Sequence, residues 1–471
     1  MPETDPGLPG WGVGGTRRFL ALASGRAVAQ VLGMVWFFAA ARILSDAEYG
    51  VLATGLAFFA ICAGLGDLGT NRTIVRYVAE DPRTLWPAFR SAVVLRVAGG
   101  LAVGLLIAGV IALLPVPVSA GIVLLAGLIA TASGVTELAY GALRSIGKVR
   151  TEMTLLVVER LLFVAIAVAA VLRGYGPVAV LVVYLFTNTL SAMISAVVVW
   201  ISRPDTHHPA GSMVDAEARY TAAAFALVTV GPRITPVLVA LLASATAVGV
   251  YSVAQRPIEA MTLFALSTAA PVLPIVRGHL TRDRRAHASH VAVSVAGAIA
   301  VALMPFLAWF EVSPTMVLTL FFGAGRYDGA EIVLRLLAVT ALTWCFRGVG
   351  EFVLLGGERA RQLLAITGIG TVITITLGIP LVRASGATGA AVALLVAELV
   401  MVVLLIITEP TLGDRVARGA YTPAAAVAVA TVVALAFVRS STAASVGVVV
   451  VAEVIALVLA IRLVRVLEVR P

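Results

Sequence analysis

Seven arginines of this sequence lie inside long apolar stretches, where a membrane-spanning helix normally carries no charge. The first, Arg26, is about two turns inside the stretch FLALASGRAVAQVLGMVWFFAAARIL of residues 19–44. An arginine at the centre of a bilayer helix costs roughly 2.5–3.5 kcal/mol on insertion scales. We therefore expect five of these side chains to face a hydrated space between helices, whereas Arg347 suits a structural ion pair and Arg335 can reach outward to the membrane surface. The seven are Arg26, Arg96, Arg160, Arg233, Arg256, Arg335 and Arg347.

Arginines in a hydrated cavity are suited to binding a phosphorylated ligand. The guanidinium group stays charged when buried and donates paired hydrogen bonds to phosphate oxygens. A cluster of them would hold the diphosphate headgroup of a lipid while the lipid tail stays in the bilayer. The candidate substrate-binding residues are Arg26, Arg96, Arg160, Arg233 and Arg256.

Each buried arginine also has a purely structural alternative, an ion pair with a buried carboxylate. Arg256 and Glu259 are three residues apart and Arg347 and Glu351 are four apart, spacings that bring side chains together on a helix. Glu398 lies near the middle of another apolar stretch. It is a candidate for coupling transport to a proton or sodium ion, and its alternative is a counter-ion role for a buried arginine.

The composition predicts an all-α, polytopic membrane protein. The chain has 471 residues, of which 60% are hydrophobic and 13% charged, and its mean hydropathy is +1.03. A soluble protein of this length needs more surface charge. The net charge of +9 does not indicate nucleic-acid binding, because the cations are spread over short loops and apolar stretches.

The apolar residues form fourteen blocks of about the length that crosses a bilayer. Two six-helix lobes, residues 19–201 and 220–408, suggest a pseudo-symmetric transporter with its site between the lobes. A disordered tail (1–18), a linker (202–219) and an additional helix pair with a short tail (409–471) complete the chain. The blocks are residues 19–41, 49–70, 89–114, 119–143, 152–172, 177–201, 220–243, 247–276, 287–311, 331–354, 362–382, 386–408, 421–438 and 442–464.

The loop charges predict the orientation in the membrane. With the N-terminus inside, the cytoplasmic segments carry 22 basic residues and the outer loops carry 5. This bias follows the positive-inside rule. An even number of spans returns the chain to the same side, so both termini are predicted to be cytoplasmic.

Other functional signals are weak. Cys62 and Cys345 lie in apolar stretches and predict neither a disulfide nor a metal site. The stretch GALRSIGKV (141–149) misses the spacing of a phosphate-binding loop and lacks the Ser or Thr after its lysine. We expect no cofactor, no metal and no nucleotide.

Five stretches resemble one family of membrane transporters: ARILSDAEYGVLA (41–53), GDLGTNRTIVRYVAE (66–80), GVYSVAQRPIEAM (249–261), LFFGAGRYDGAEIVLRLLA (320–338) and ASGATGAAVALLVAELV (384–400). The ordered set resembles the polysaccharide-unit (lipid-linked oligosaccharide) flippases of the multidrug/oligosaccharidyl-lipid/polysaccharide exporter superfamily. No single stretch is specific, but each falls on the expected span.

The resemblance implies two lobes around a central cavity, and alternating access in the plasma membrane. The cargo would be a polyprenyl-diphosphate-linked glycan, and a polysaccharide polymerase or glycosyltransferases would be partners. The fourteen-span members include lipid II flippases, which carry cavity arginines on their first, second and eighth spans. Arg26 and Arg256 match the first and eighth. The second span here has no arginine, which argues against lipid II itself.

Three other functions compete with a flippase. A cation-coupled multidrug exporter of the same superfamily would favour acidic and aromatic residues in its cavity, whereas the charges expected here are basic. A membrane glycosyltransferase or ligase usually needs a sizeable extracytoplasmic loop, and the outer loops are short except around residues 312–330. A non-transporting scaffold that binds lipid-linked precursors is the third.

Overall fold

A computed structural model describes residues 13–204, 216–269, 285–327, 329–356 and 359–409, together with parts of 426–456. All regular structure in these ranges is helical, as expected for an all-α membrane protein. Seven of the described helices are long and apolar enough to cross a membrane. The predicted count of fourteen spans extends into the segments outside the described residues.

The first half of the chain forms seven α-helices and one short 3-10 turn, at Pro82–Thr84. Helix α1 begins six residues earlier than the predicted span. The helices are α1 (Val13–Ile43), α2 (Asp46–Gly66), α3 (Thr70–Glu80), α4 (Leu85–Leu113), α5 (Ala120–Ser145), α6 (Val149–Leu172) and α7 (Pro177–Ile201).

The second half begins at α8, and its linker residues 205–215 lie outside the described part. Within residues 312–330, predicted to be a loop, the chain forms a short helix. The helices are α8 (Ala216–Leu242), α9 (Ala245–Ala269), α10 (Arg285–Val312), α11 (Pro314–Phe322), α12 (Ala330–Gly356) and α13 (Ala360–Thr408). Helical turns also occur at 426–427, 429–432, 445–446, 448–453 and 455–456, inside the two last predicted spans.

Helix α13 contains two predicted spans. Its backbone leaves the helical region at Ser385 and at Gly386, where φ is 55°. The two limbs then pack against each other in opposite directions, because Gly370 lies against Met401 and Gly378 lies against Ala393. The 49-residue element is therefore a helical hairpin, which agrees with the separate spans 362–382 and 386–408.

The second predicted span ends four residues earlier than predicted, at a break in the chain. Helix α2 starts with a capping box between Ser45 and Glu48 and ends at Gly66. Leu68 and Gly69 then adopt φ values of 48° and 77°, and α3 follows where a basic loop was predicted. A left-handed leucine is uncommon, so a local interaction is needed to hold this break.

The two halves meet along α2, which packs against α8 and α9. Two glycines allow the backbones of α2 and α9 to approach each other closely. A Cβ atom on Gly50 would lie 1.7 Å from the carbonyl oxygen of Ala245, and one on Gly249 would lie 2.5 Å from that of Asp46. The backbones of α2 and α9 are thus in direct contact at one end of the molecule, and they leave space between the halves at the other.

Candidate functional site

A cavity of about 460 Å³ lies between the halves of the chain. Helices α1, α2, α5, α6 and α7 line it from the first half, and α8 and α9 line it from the second. Its size is within the usual range for a small-molecule site. Four of the five predicted arginines reach it: Arg26, Arg160, Arg233 and Arg256.

Arg160 is the cavity arginine without a carboxylate partner. Its Nη1 atom donates to the hydroxyl of Tyr184 over 3.4 Å, and no acidic side chain of the described residues lies within 4.0 Å of it. The neighbouring Glu159 points elsewhere, because its Oε2 atom accepts hydrogen bonds from Tyr140 and Ser191. Arg160 can therefore offer most of its donors to an anion in the cavity.

Arg26 is the second available cation. Its side chain is 51% exposed, and its nearest carboxylate oxygen, on Glu152, is 3.7 Å away. Glu152 is 1% exposed and is already bound by Arg144, whose Nε atom donates to both carboxylate oxygens at 3.2 and 3.1 Å. Arg144 thus neutralises Glu152 and leaves the guanidinium of Arg26 facing the cavity.

Glu259 sits between Arg233 and Arg256 and accepts hydrogen bonds from both; the second is 2.8 Å long. The guanidinium of Arg256 also lies 3.8 Å from the centre of the Phe37 ring, a cation–π geometry. Two cations share one carboxylate here, so the group keeps a positive charge. The predicted pair of Arg256 and Glu259 is confirmed, and Arg233 joins it from α8.

Arg96 does not line the cavity. Its Nη1 atom binds Asp67 Oδ1 at 2.6 Å, at the break between α2 and α3, and its side chain is 7% exposed. The expected cavity position was wrong because α4 turns this side chain toward the bend of the broken helix. Its ion pair with Asp67 supports the break together with the Thr70 hydroxyl, which donates to the Asp67 carbonyl oxygen at 2.7 Å.

Glu398 also lies outside the cavity. It accepts a 2.8 Å hydrogen bond from Arg347 Nε, and Arg347 binds Glu351 as well. The predicted pair of Arg347 and Glu351 is confirmed. The geometry matches the counter-ion alternative for Glu398, because a guanidinium already occupies the position that a coupling cation would take.

Several cavity residues were not singled out in the sequence analysis. Glu137, Tyr140 and Arg144 project from α5 at spacings of three and four residues, and Ser252 and Gln255 precede Glu259 on α9 at the same spacings. Polar side chains with this spacing share one face of a helix. That periodic polar face is a signal present in the sequence.

The fold is that of membrane transporters with known structures. A MATE transporter in complex with MaL6 matches with a TM-score of 0.60 and 17% identity, over 83% of this chain and 94% of that chain. A MOP superfamily transporter from Pyrococcus furiosus matches with a TM-score of 0.58 and 15% identity, over 83% and 93%. An inward-facing multidrug resistance MATE transporter matches with a TM-score of 0.59 and 15% identity, over 80% of this chain and 93% of that chain.

The family follows from the sequence match. Residues 16–276, more than half of the chain, match the family described as "Polysaccharide biosynthesis protein". The chain belongs to this family, and the resemblance to the polysaccharide exporter superfamily is confirmed. No curated protein has a significantly similar sequence.

Proposed function

We propose that this protein is a flippase. It would move a polyprenyl-diphosphate-linked glycan from the inner to the outer leaflet of the plasma membrane by alternating access, for cell-surface polysaccharide biosynthesis. Both termini would be cytoplasmic, and the glycosyltransferases and polymerase of the same polysaccharide would supply and use its cargo.

The observation that carries this proposal is the charge of the cavity. Its lining contains five arginines and three glutamates, and Glu152 and Glu259 are already neutralised by neighbouring arginines. Arg160 has no carboxylate partner among the described residues, and Arg26 is half exposed. A diphosphate carries about two negative charges and many acceptor oxygens, so it complements this excess of donors.

The remaining lining supports a glycan next to the diphosphate. Phe37, Phe38, Phe59 and Tyr184 provide flat apolar faces, and the amides of Gln30 and Gln255 provide donors and acceptors. Sugar rings present both apolar faces and hydroxyl groups, so they need this combination.

A multidrug exporter of the same superfamily is the competing function. A cationic drug would need an unengaged carboxylate, and two of the three in the cavity are bound by arginine. The excess of basic groups therefore favours an anionic cargo over a cationic one.

The test is binding of a polyprenyl diphosphate to the purified protein in lipid nanodiscs, measured as a shift in thermal stability. We expect Arg160→Gln to weaken binding by roughly ten- to a hundredfold, since one charge-assisted contact is lost. Arg383→Gln is the matched control, because Arg383 is exposed and is not among the residues that line the cavity. Equal binding by all three proteins, or preferential binding of a lipophilic cation, would contradict the proposal.

A further inference from the structure

At the end of the molecule where α2 and α9 touch, one arginine from each half donates hydrogen bonds to the other half. Arg42 lies in the last turn of α1 and donates from Nε to the carbonyl oxygen of Phe321 at 2.9 Å. A second nitrogen of Arg42 donates to the carbonyl oxygen of Leu320. Both acceptors belong to the last turn of α11, in the second half of the chain.

Arg326, which follows α11, makes the converse contacts. Its Nη1 atom donates to the carbonyl oxygens of Ala41 and Arg42, each at 2.8 Å, in the last turn of α1. Its Nη2 atom donates to the carbonyl oxygen of Leu44 and, at 2.9 Å, to the carboxylate of Asp46. Arg42, in the last turn of α1, therefore binds the C-terminal end of α11. Arg326, which follows α11, binds the C-terminal end of α1.

Tyr327 adds to the same contact. Its hydroxyl donates to the carbonyl oxygen of Ala41 at 2.7 Å, and its backbone N–H donates to Asp46 at 3.3 Å. Burial raises the pKa of the Tyr327 hydroxyl, so it stays a donor. We call Arg42, Asp46, Arg326 and Tyr327 with these carbonyl groups the reciprocal clamp.

The physical strength of the clamp comes from the ends of helices. The last carbonyl groups of a helix have no partner within it and carry the negative end of the helix dipole. An arginine from the other half donates hydrogen bonds to these carbonyl groups and places a positive charge at the negative end of the dipole. Separating the halves here would leave two helix ends without partners, unless water replaces every contact.

The clamp also closes one end of the cavity. Phe38 lines the cavity and stacks on Phe321 with ring centres 4.8 Å apart, one turn of α1 before the clamp begins. The contact of Gly50 with the backbone of α9 continues the closure. In the sequence-based topology this end faces the outside, while Arg26, Arg144 and Glu152 lie toward the cytoplasmic side.

We propose that the reciprocal clamp is the outer gate of the transporter. It holds the two halves together on the outer side while the cavity is open to the cytoplasm, and it must break before cargo leaves. This inference rests on the proposed transport function, but it does not depend on the chemical nature of the cargo.

A thiol in the cavity tests the gate. The reporter is Gly33→Cys in a protein whose two buried cysteines are removed by Cys62→Ala and Cys345→Ala. Gly33 lines the cavity, and a Cβ atom there meets nothing within 4 Å. A membrane-impermeant maleimide is applied to intact cells and, separately, to inside-out vesicles, and the labelling rates are compared.

We expect the reporter to label readily in inside-out vesicles and slowly in intact cells. Arg326→Gln or Arg42→Gln should raise the rate in intact cells by roughly tenfold or more, since charge-assisted hydrogen bonds of the closed state are lost. Arg383→Gln, which removes an exposed arginine from the same predicted outer side, should leave it unchanged.

The thermal midpoint of each variant in nanodiscs shows whether it is folded. Asp46→Asn, which keeps the side-chain shape, is the second variant. The gate is disproved if the rate in intact cells stays unchanged in the single variants and in the variant that combines both arginine substitutions. It is also disproved if the Gly33→Cys reporter protein with an intact clamp already labels fast from outside. Labelling needs no cargo, so a failed gate is distinguishable from a failed diphosphate site at Arg160.

Discussion

Arg160 on α6 and Tyr184 on α7 face each other in the cavity wall, 3.4 Å apart between Nη1 and the hydroxyl oxygen. The tyrosine orients the guanidinium without neutralising it. Tyr184 also packs against Phe59 and Phe163, with ring centres 5.5 and 4.8 Å apart, so its own position is well defined. A cation held by a neutral partner is ready for an anionic ligand.

The first prediction concerns this pair. Tyr184→Phe keeps the ring packing but removes the hydroxyl, so Arg160 loses its orientation and diphosphate affinity should fall by about three- to tenfold. Arg160→Lys should lower the diphosphate affinity further, because an ammonium group cannot donate in a bidentate manner. Affinity is measured by calorimetry in nanodiscs. If the two effects add without any coupling in the double variant, the pair does not act as a unit.

The second prediction concerns Glu259. In Glu259→Gln two neighbouring arginines lose their shared carboxylate, so the thermal midpoint of the ligand-free protein should fall. A polyprenyl diphosphate would then replace the missing negative charge. It should therefore raise the midpoint of this variant more than that of the unmodified protein, as measured by nanodisc melting with and without ligand. A smaller ligand effect in the variant would mean that the diphosphate does not reach Arg233 and Arg256.

The third prediction separates Arg96 from the substrate site. Arg96→Gln should reduce the free energy of unfolding by about 1–3 kcal/mol, because Asp67 loses its partner at the break between α2 and α3; the value is moderate since Asp67 is partly exposed. Affinity for the diphosphate, measured on the folded fraction, should not change. Gly134→Ala gives an independent check, because its Cβ atom would lie 2.1 Å from Arg96 Nε and displace the side chain. Loss of affinity at normal stability would instead restore Arg96 to the binding set.

The fourth prediction compares two glycines. Gly50→Ala should push α2 away from α9, because the new Cβ would collide with the carbonyl oxygen of Ala245, and maleimide should then reach a cavity thiol from outside more quickly. Gly109→Ala on α4 is the control, since its Cβ has open space and alanine favours a helix by about 1 kcal/mol over glycine. Equal stability and equal outside labelling of the two variants would show that the close contact is not part of the closure.

The sequence by itself determined that this is an all-α membrane protein and identified most of the charged groups that matter. A hydrocarbon environment permits few folds and penalises each buried charge, so span length and charge position are readable from a single chain. Four of the five predicted arginines line the cavity for this reason. The local pairs of Arg256 with Glu259 and of Arg347 with Glu351 were equally readable, because helix geometry sets them.

Only the tertiary structure decided which charged side chains are already paired and which remain available to a ligand. Arg96 meets Asp67, Arg144 meets Glu152 and Glu398 meets Arg347 across pairs of helices whose relative rotation no local pattern encodes. The break after α2 and the reciprocal clamp of Arg42 and Arg326 arise in the same way, from contacts over long sequence separations. The partner of a buried charge depends on packing between helices, and packing is a property of the assembled fold.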